Sequence, residues 1–405
     1  MNQGSVPVSD PEGRLTHGDG RLLAALCVAS FLAALNFFAT SPFYPVMARD
    51  LDTTVPLLGQ VTTLMILIST VLGLAVGPVA DRYGYRWPLV IGVLAVAVNL
   101  AGIGLAQSYV FVLALSVAGG LADALVFGLP LAIAGVRYSG DAQRRAMGWT
   151  IGSLSSAGII GTPILTTIGS LAGWRVALVA AGIASVGAAW FIFTSLPPDS
   201  RRPTTRFQIR EIGAAYAPLI RHRPTLMLYG TTGLRAITWI GLVTYLGAFL
   251  SEELNLGTRN VGFVYMASGI GYAIGSVIGS RALILPPRTV VAISCLCSAL
   301  AVGLLLTTSN LWMAIGLVIF ASFVASFAGI GLASLLATES PAGTGTTMVL
   351  NGSMLNLGAA CGALIGGVLI STGGYHALGL GLPIFAVIAA ILARWPTPRL
   401  YTQLS

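Results

Sequence analysis

The sequence predicts an all-α integral membrane protein of twelve transmembrane helices arranged as two pseudo-symmetric six-helix bundles. Three observations carry this. The 405 residues are 56% hydrophobic and only 8% charged, where a soluble domain carries about 25% charged residues. Apolar stretches of about 20 residues, each long enough to cross a hydrocarbon core about 30 Å thick, recur almost from end to end. Their lengths and their lack of strict alternation exclude the strands of about 10 residues that build a barrel, and only helices remain to satisfy the backbone in lipid.

With glycine, proline and charged clusters as punctuation, the spans fall at 22–46, 56–80, 87–106, 109–135, 147–170, 174–195, 225–250, 259–280, 289–307, 310–337, 342–370 and 376–394. They are numbered one to twelve below. The first 20 residues carry Asp10, Glu12 and Asp19 instead of the short basic stretch that opens a secretory signal. The stretch from Leu22 therefore reads as a retained span. Residues 1–21 form a cytoplasmic tail, 22–196 the first bundle, 197–224 a cytoplasmic linker, 225–396 the second bundle and 397–405 a second tail.

Orientation follows from the arginines, which make up all 21 basic residues. With both termini in the cytoplasm, 17 arginines fall on that side and only Arg49, Arg175 and Arg259 on the other. This is the positive-inside pattern of a plasma (inner) membrane protein. The net charge of +8 is spread over loops and forms no single patch, so nucleic acid is not an expected partner. Cys27, Cys295, Cys297 and Cys361 all lie in apolar runs without C-x-x-C spacing, and His17, His222 and His376 are scattered. Neither a metal site nor a cofactor is expected.

The two halves echo each other. Gly152-Ser153-Leu154 matches Gly352-Ser353-Met354, Gly158 matches Gly358, and the turn Gly173-Trp174-Arg175 has its counterpart in Gly374-Tyr375-His376. Such internal symmetry is typical of transporters built from repeats, with the substrate near the midplane.

Between spans two and three stands a charged turn, Gly77-Pro78-Val79-Ala80-Asp81-Arg82-Tyr83-Gly84-Tyr85-Arg86. It resembles the G-x-x-x-D-R-x-G-R-R signature of the major facilitator superfamily, with Tyr85 in the place of the first closing arginine. Span five reads Gly158-Ile159-Ile160-Gly161-Thr162-Pro163. This resembles the G-x-x-x-G-P-x-x-G-G antiporter motif of the drug and sugar efflux branch, except that Thr162 separates Gly161 from Pro163 and no glycine pair follows. The resemblance implies a twelve-span facilitator fold, a gating role for Gly77, Asp81, Arg82, Gly84 and Arg86, and a hinge or a static packing site at Gly158, Gly161 and Pro163. In span four, where many family members carry an arginine that assists proton transfer, this chain has Ser116.

Two ionisable residues lie deep in spans. Asp123 is about 14 residues into span four and Arg235 about 10 into span seven, so both are about 15–20 Å deep. A charge there costs roughly 2.5–3.5 kcal/mol even on insertion scales, and something must compensate. One reading makes Asp123 the protonation site, coupled to Arg235, since a low dielectric favours the neutral carboxyl. The other is a permanent ion pair, or Asp123 bonded to Asn36. Asn36, Phe38, Trp239, Tyr245 and Asn356 are the candidate substrate contacts, with interhelical bonding or packing as the alternative for each. Gly271, Gly275 and Gly279, spaced by four, read as helix packing.

The expected function is secondary transport: export of a small amphiphilic drug-like molecule or metabolite by alternating access, in exchange for protons, by a monomer in the lipid bilayer. The alternatives are a uniporter or proton-coupled importer of a sugar or metabolite, and a membrane sensor that transports nothing. An enzyme is not expected, because no paired nucleophile and base is apparent.

Overall fold

The computed structural model describes residues 17–197, 219, 222–281, 285–341 and 344–394. Among these residues every long element is a helix. Eleven helical stretches are long and apolar enough to cross a membrane. They are Gly20–Asp50, Val55–Gly73, Arg86–Leu105, Tyr109–Arg137, Gly140–Ala172, Trp174–Ser195, Arg223–Glu252, Thr258–Gly279, Pro287–Leu305, Leu311–Glu339 and Thr347–Ala393. The last has 47 residues, about twice what one crossing needs. It breaks at Gly373 and Gly374, the latter with φ +65°, and its two arms occupy the places of spans eleven and twelve.

Three spans read as uninterrupted in the sequence are broken, each at a proline that removes a backbone donor. Span one is helical over His17–Phe38 and resumes at Tyr44–Asp50 after a tight 3₁₀ turn at Ser41–Phe43 holding Pro42. Span four divides into Tyr109–Val126 and Leu129–Arg137, with Pro130 in the first turn of the second piece. Span five runs as Gly140–Ser156, a wide π turn at Ala157–Gly161, then Thr162–Ala172. Pro163 cannot donate to the carbonyl one turn before it, and the π turn absorbs the gap.

The chain forms two compact units. The first comprises the described parts of Met1–Asp52, Ile68–Arg206 and Gly257–Met266; the second comprises those of Thr53–Leu67, Phe207–Leu256 and Ala267–Ser405. Each unit therefore takes in a short helical segment from the opposite half of the sequence. In the first, the Tyr265 and Ser41 hydroxyls share a hydrogen bond of 2.7 Å, and Gly262 packs so tightly on Thr166 that no Cβ would fit. In the second, Gly59 rests against the Tyr245 ring, and the Thr63 hydroxyl reaches the Ala360 carbonyl at 3.5 Å.

Small residues set the closest helix approaches, as lipid-embedded packing requires. In the second unit Gly358, Gly362 and Gly366 repeat at four-residue spacing along span eleven. A Cβ at Gly362 would stand 2.5 Å from the Ile237 carbonyl, and one at Gly366 2.6 Å from the Tyr245 ring. Spans eight and ten meet the same way: a Cβ at Gly271 would stand 2.8 Å from the Ile319 carbonyl and one at Gly275 2.5 Å from the Phe323 carbonyl. Gly279 is looser, since a Cβ there would stand 3.2 Å from the Ile330 side chain.

The internal repeat has a counterpart in hydrogen bonds. In the first unit Gly173 takes φ +91°, and Trp174 Nε1 then donates to Asp50, which ends span one, at 2.7 Å. In the second, Gly374 takes φ +65°, and the Tyr375 hydroxyl donates to Glu252, which ends span seven, at 2.7 Å. Arg86, opening span three, donates to the Phe193 carbonyl at the end of span six at 2.7 Å. Arg288, opening span nine, donates to the Ala393 carbonyl at the end of span twelve at 3.3 Å. The first joint uses different side chains in the two halves, and the second uses arginine in both.

Candidate functional site

The first unit holds a buried polar chain across three helices. Asp123 lies in span four, one turn before its break, and is 6% exposed; Asn36 of span one and Asn99 of span three are each 2% exposed. Asn36 Nδ2 donates to Asp123 Oδ1 at 2.9 Å, and Asn99 Nδ2 donates to Asn36 Oδ1 at 2.9 Å. Asn36 Nδ2 also approaches the Gly119 carbonyl at 3.5 Å. Asp123 makes no ion pair among the described residues, so one oxygen of a carboxyl group in the middle of a span is held by a neutral amide. The Asn99 carbonyl oxygen at the far end of the chain is buried without a partner. Ser116, about two turns before Asp123, is fully buried and returns its hydroxyl to the Leu113 carbonyl of its own helix at 2.6 Å.

The second unit contains Arg235, in the middle of span seven. Its Nε is buried and has no hydrogen-bond partner. Among the described residues the guanidinium forms no ion pair or hydrogen bond. Trp239 follows one turn later on the same helix and is half-buried, as is Asn356 of span eleven. Tyr245 is fully buried, and its hydroxyl donates to the Ala363 carbonyl at 2.6 Å. Its ring fills the space left by Gly59, Gly366 and Gly367. Tyr245 thus joins spans two, seven and eleven, and its polar end is already engaged.

The structure brings Asn36 together with Asp123. Phe38, two residues after Asn36, is half-buried and stacks edge-on with Phe37, with ring centroids 5.1 Å apart. The residue that joins Asn36 and Asp123 to span three is Asn99, which is not among the site candidates read from the sequence. Its position could have been found from the helical register, since it lies in the middle of span three as Asp123 does in span four.

At the charged turn, the helix of span two continues through Asp81 and Arg82 to Tyr83. Gly84 then takes φ +91°, a backbone conformation that favours glycine. The side chains of Asp81 and Arg82 and the surroundings of Gly77 lie outside what the structure describes. Arg86 bonds the Phe193 carbonyl and lies 4.0 Å over the Phe193 ring. In span five, a Cβ at Gly161 would come within 2.7 Å of Leu35, whereas Gly158 has open space. Close approach to span one is therefore required at Gly161 and not at Gly158.

Comparison with known proteins identifies the family. The model of the Major Facilitator Superfamily matches residues 26–281 and 228–404. The chain belongs to this superfamily. It is 23% identical over 378 residues to the uncharacterized MFS-type transporter YwfA of Bacillus subtilis, covering 92% of this chain and 91% of that one. It is 25% identical over 388 residues to the inner membrane transport protein YdhP of Escherichia coli K12, covering 92% of each. Its fold is similar to that of the nucleoside transporter NupG in a crystal structure, with TM-score 0.77, 15% identity, and coverage of 92% of this chain and 98% of NupG. This facilitator-superfamily protein is thus a multi-pass membrane transporter with the facilitator fold.

Proposed function

We propose that the protein is a secondary transporter that exports a small amphiphilic drug-like molecule or metabolite by alternating access, in exchange for protons, with Asp123 as the protonation site. The observation that carries this reading is the bonding of Asp123: a buried mid-span carboxyl group with one neutral side-chain partner and, among the described residues, no cation paired to it. A permanently ionised carboxylate in that setting would be expensive. A carboxyl that gains a proton on one side of the membrane and loses it on the other needs no fixed counter-ion, and Asn36 can donate to Oδ1 in either state if the proton sits on Oδ2.

Export is the direction suggested by the resemblance of span five to the antiporter motif, whose proline here coincides with a π turn. A π turn can be shifted along a helix at small cost, so this segment suits a bend that changes during transport. The cytoplasmic placement of both termini rests on the arginine asymmetry, and the inner membrane on that asymmetry together with the location stated in the name of YdhP.

The test uses inside-out vesicles with an acidic interior and a panel of dyes, antibiotics and sugars. The wild type is expected to accumulate at least one compound inside, and Asp123→Asn to lose the dependence on the gradient. Flux that is insensitive to the imposed gradient in the wild type contradicts the proposal and points to a uniporter.

A further inference from the structure

The second unit holds a cation, Arg235, that no described residue of that unit neutralises. Arg235 carries five N–H donors, and among the described residues none is engaged. Every described carboxylate of this unit stands at the end of a span. Glu252 receives the Tyr375 hydroxyl, Glu339 pairs with Arg288, and Glu253 lies beyond the last turn of span seven. None belongs to the interior of a helix, where Arg235 sits. The buried Cys295, on span nine, lies within electrostatic range of the guanidinium but supplies no charge when protonated.

The space beside the guanidinium is shaped by a missing side chain. Gly329 of span ten faces it: a methyl group there would lie 3.5 Å from Arg235 Nη2 and 3.9 Å from the Tyr272 hydroxyl, with no other group nearer. Tyr272 of span eight also makes no hydrogen bond among the described residues. Two unengaged donors from different helices therefore border the place that a side chain at residue 329 would take at ordinary contact distance, and glycine leaves that place unfilled. A planar guanidinium fork beside a phenolic O–H matches a carboxylate or phosphate group, which accepts two parallel N–H bonds and a third from the hydroxyl.

We infer that Arg235, Tyr272 and Gly329 form a subsite for the anionic oxygen group of the transported molecule, so that the substrate is an amphiphilic acid. This rests on the reading of the protein as a transporter of amphiphilic molecules and narrows it. Arg235 supplies the counter-charge and orientation, Tyr272 an additional donor, and Gly329 the room.

The experiment measures equilibrium binding to the full chain in detergent, with no gradient present, using four naphthalene probes of one shape: 2-naphthoate, 2-naphthyl phosphate, 2-naphthamide and 2-naphthylmethylamine. The wild type should bind one or both acids at least about tenfold tighter than the amide and the amine, as charge-assisted hydrogen bonds to a guanidinium allow. Arg235→Gln should lose that preference, Arg235→Lys should keep part of it, and Gly329→Val should weaken acid binding at least about fivefold by filling the position. A wild type that binds neither acid, or shows no preference for acids, overturns the inference. So does a preference that survives Arg235→Gln.

Should Arg235→Gln fail to fold, phenylglyoxal labelling of Arg235 in the wild type, read by peptide mass spectrometry, decides the matter. Naphthoate must slow the labelling and naphthamide must not; labelling unaffected by the acid overturns the proposal. The two readings separate cleanly. Gradient-driven transport without acid preference removes the subsite and leaves export, and acid preference without gradient-driven transport does the reverse.

Discussion

Asp123 and Arg235 are both charged residues in the middle of a span, one in each compact unit, yet their surroundings are opposite in kind. Asp123 ends a chain of amides in which it accepts from Asn36 and Asn36 accepts from Asn99. Arg235 has no such support: its Nε is buried without a partner. The difference teaches which group is held by the protein alone and which one is left wanting. A carboxyl can lose its charge by taking up a proton, so a neutral amide suffices to position it. A guanidinium stays charged at any physiological pH, so its balance must come from an anion.

The largest stability effect should come from breaking the supported side. Asn36→Ala removes the donor to Asp123 and the acceptor from Asn99, leaving two buried polar groups unmet at about 1–3 kcal/mol each. Thermal unfolding in detergent should show a loss of about 3 kcal/mol, and an unchanged melting temperature would mean that water replaces the amide. The unsupported side should respond in the other direction. Arg235→Met replaces an unpaired cation by an apolar chain of similar length and should raise the stability of the substrate-free protein by up to about 2 kcal/mol. A fall in melting temperature there would show that the guanidinium is balanced within the protein.

The repeat offers the same kind of contrast between equivalent positions. A Cβ at Gly358 would strike the Gly233 backbone, whereas Gly158 has nothing within 4 Å. Gly358→Ala should therefore cost about 1–3 kcal/mol through forced separation of spans seven and eleven. Gly158→Ala should stay within about 1 kcal/mol of the wild type. Smallest should be the joints that follow Gly173 and Gly374. Trp174→Phe and Tyr375→Phe each delete one hydrogen bond to a carboxylate, and each should lower stability by about 1 kcal/mol, by similar amounts if the two joints are equivalent. A cost confined to one of them would break the correspondence.

Much of this architecture is legible in the sequence. The apolar runs place the spans, because length against bilayer thickness is a strong constraint, and the gap left between residues 370 and 376 brackets the break at Gly373 and Gly374. The glycines of span eight are readable as packing because their spacing keeps them on one helix face. Breaks in spans one, four and five are less legible. A proline in an apolar run shows that a bond is lost, but whether the helix bends, widens into a π turn or stops depends on its neighbours. The exchange of Thr53–Leu67 and Gly257–Met266 between units leaves no local signal, since it arises from where distant helices pack. At the site, the depth of Asp123 and Arg235 could be read from helical rise, and Asn36 was one of the partners open to Asp123. Tyr245 illustrates the limit: an aromatic in a span reads as a cavity wall or as packing, and only the glycines around it reveal that its ring fills a helix joint.

The most direct test of the central claim is proton movement itself. Inside-out vesicles with an acidic lumen, loaded with a pH-sensitive dye and given the compound that the wild type accumulates, should lose luminal protons as the compound enters. With Asp123→Asn, which keeps the hydrogen bond to Asn36 within reach but cannot ionise, the compound should still exchange across the membrane while proton movement falls to the level of protein-free vesicles. Proton loss that continues at the wild-type rate in Asp123→Asn would contradict the account and place coupling at another group.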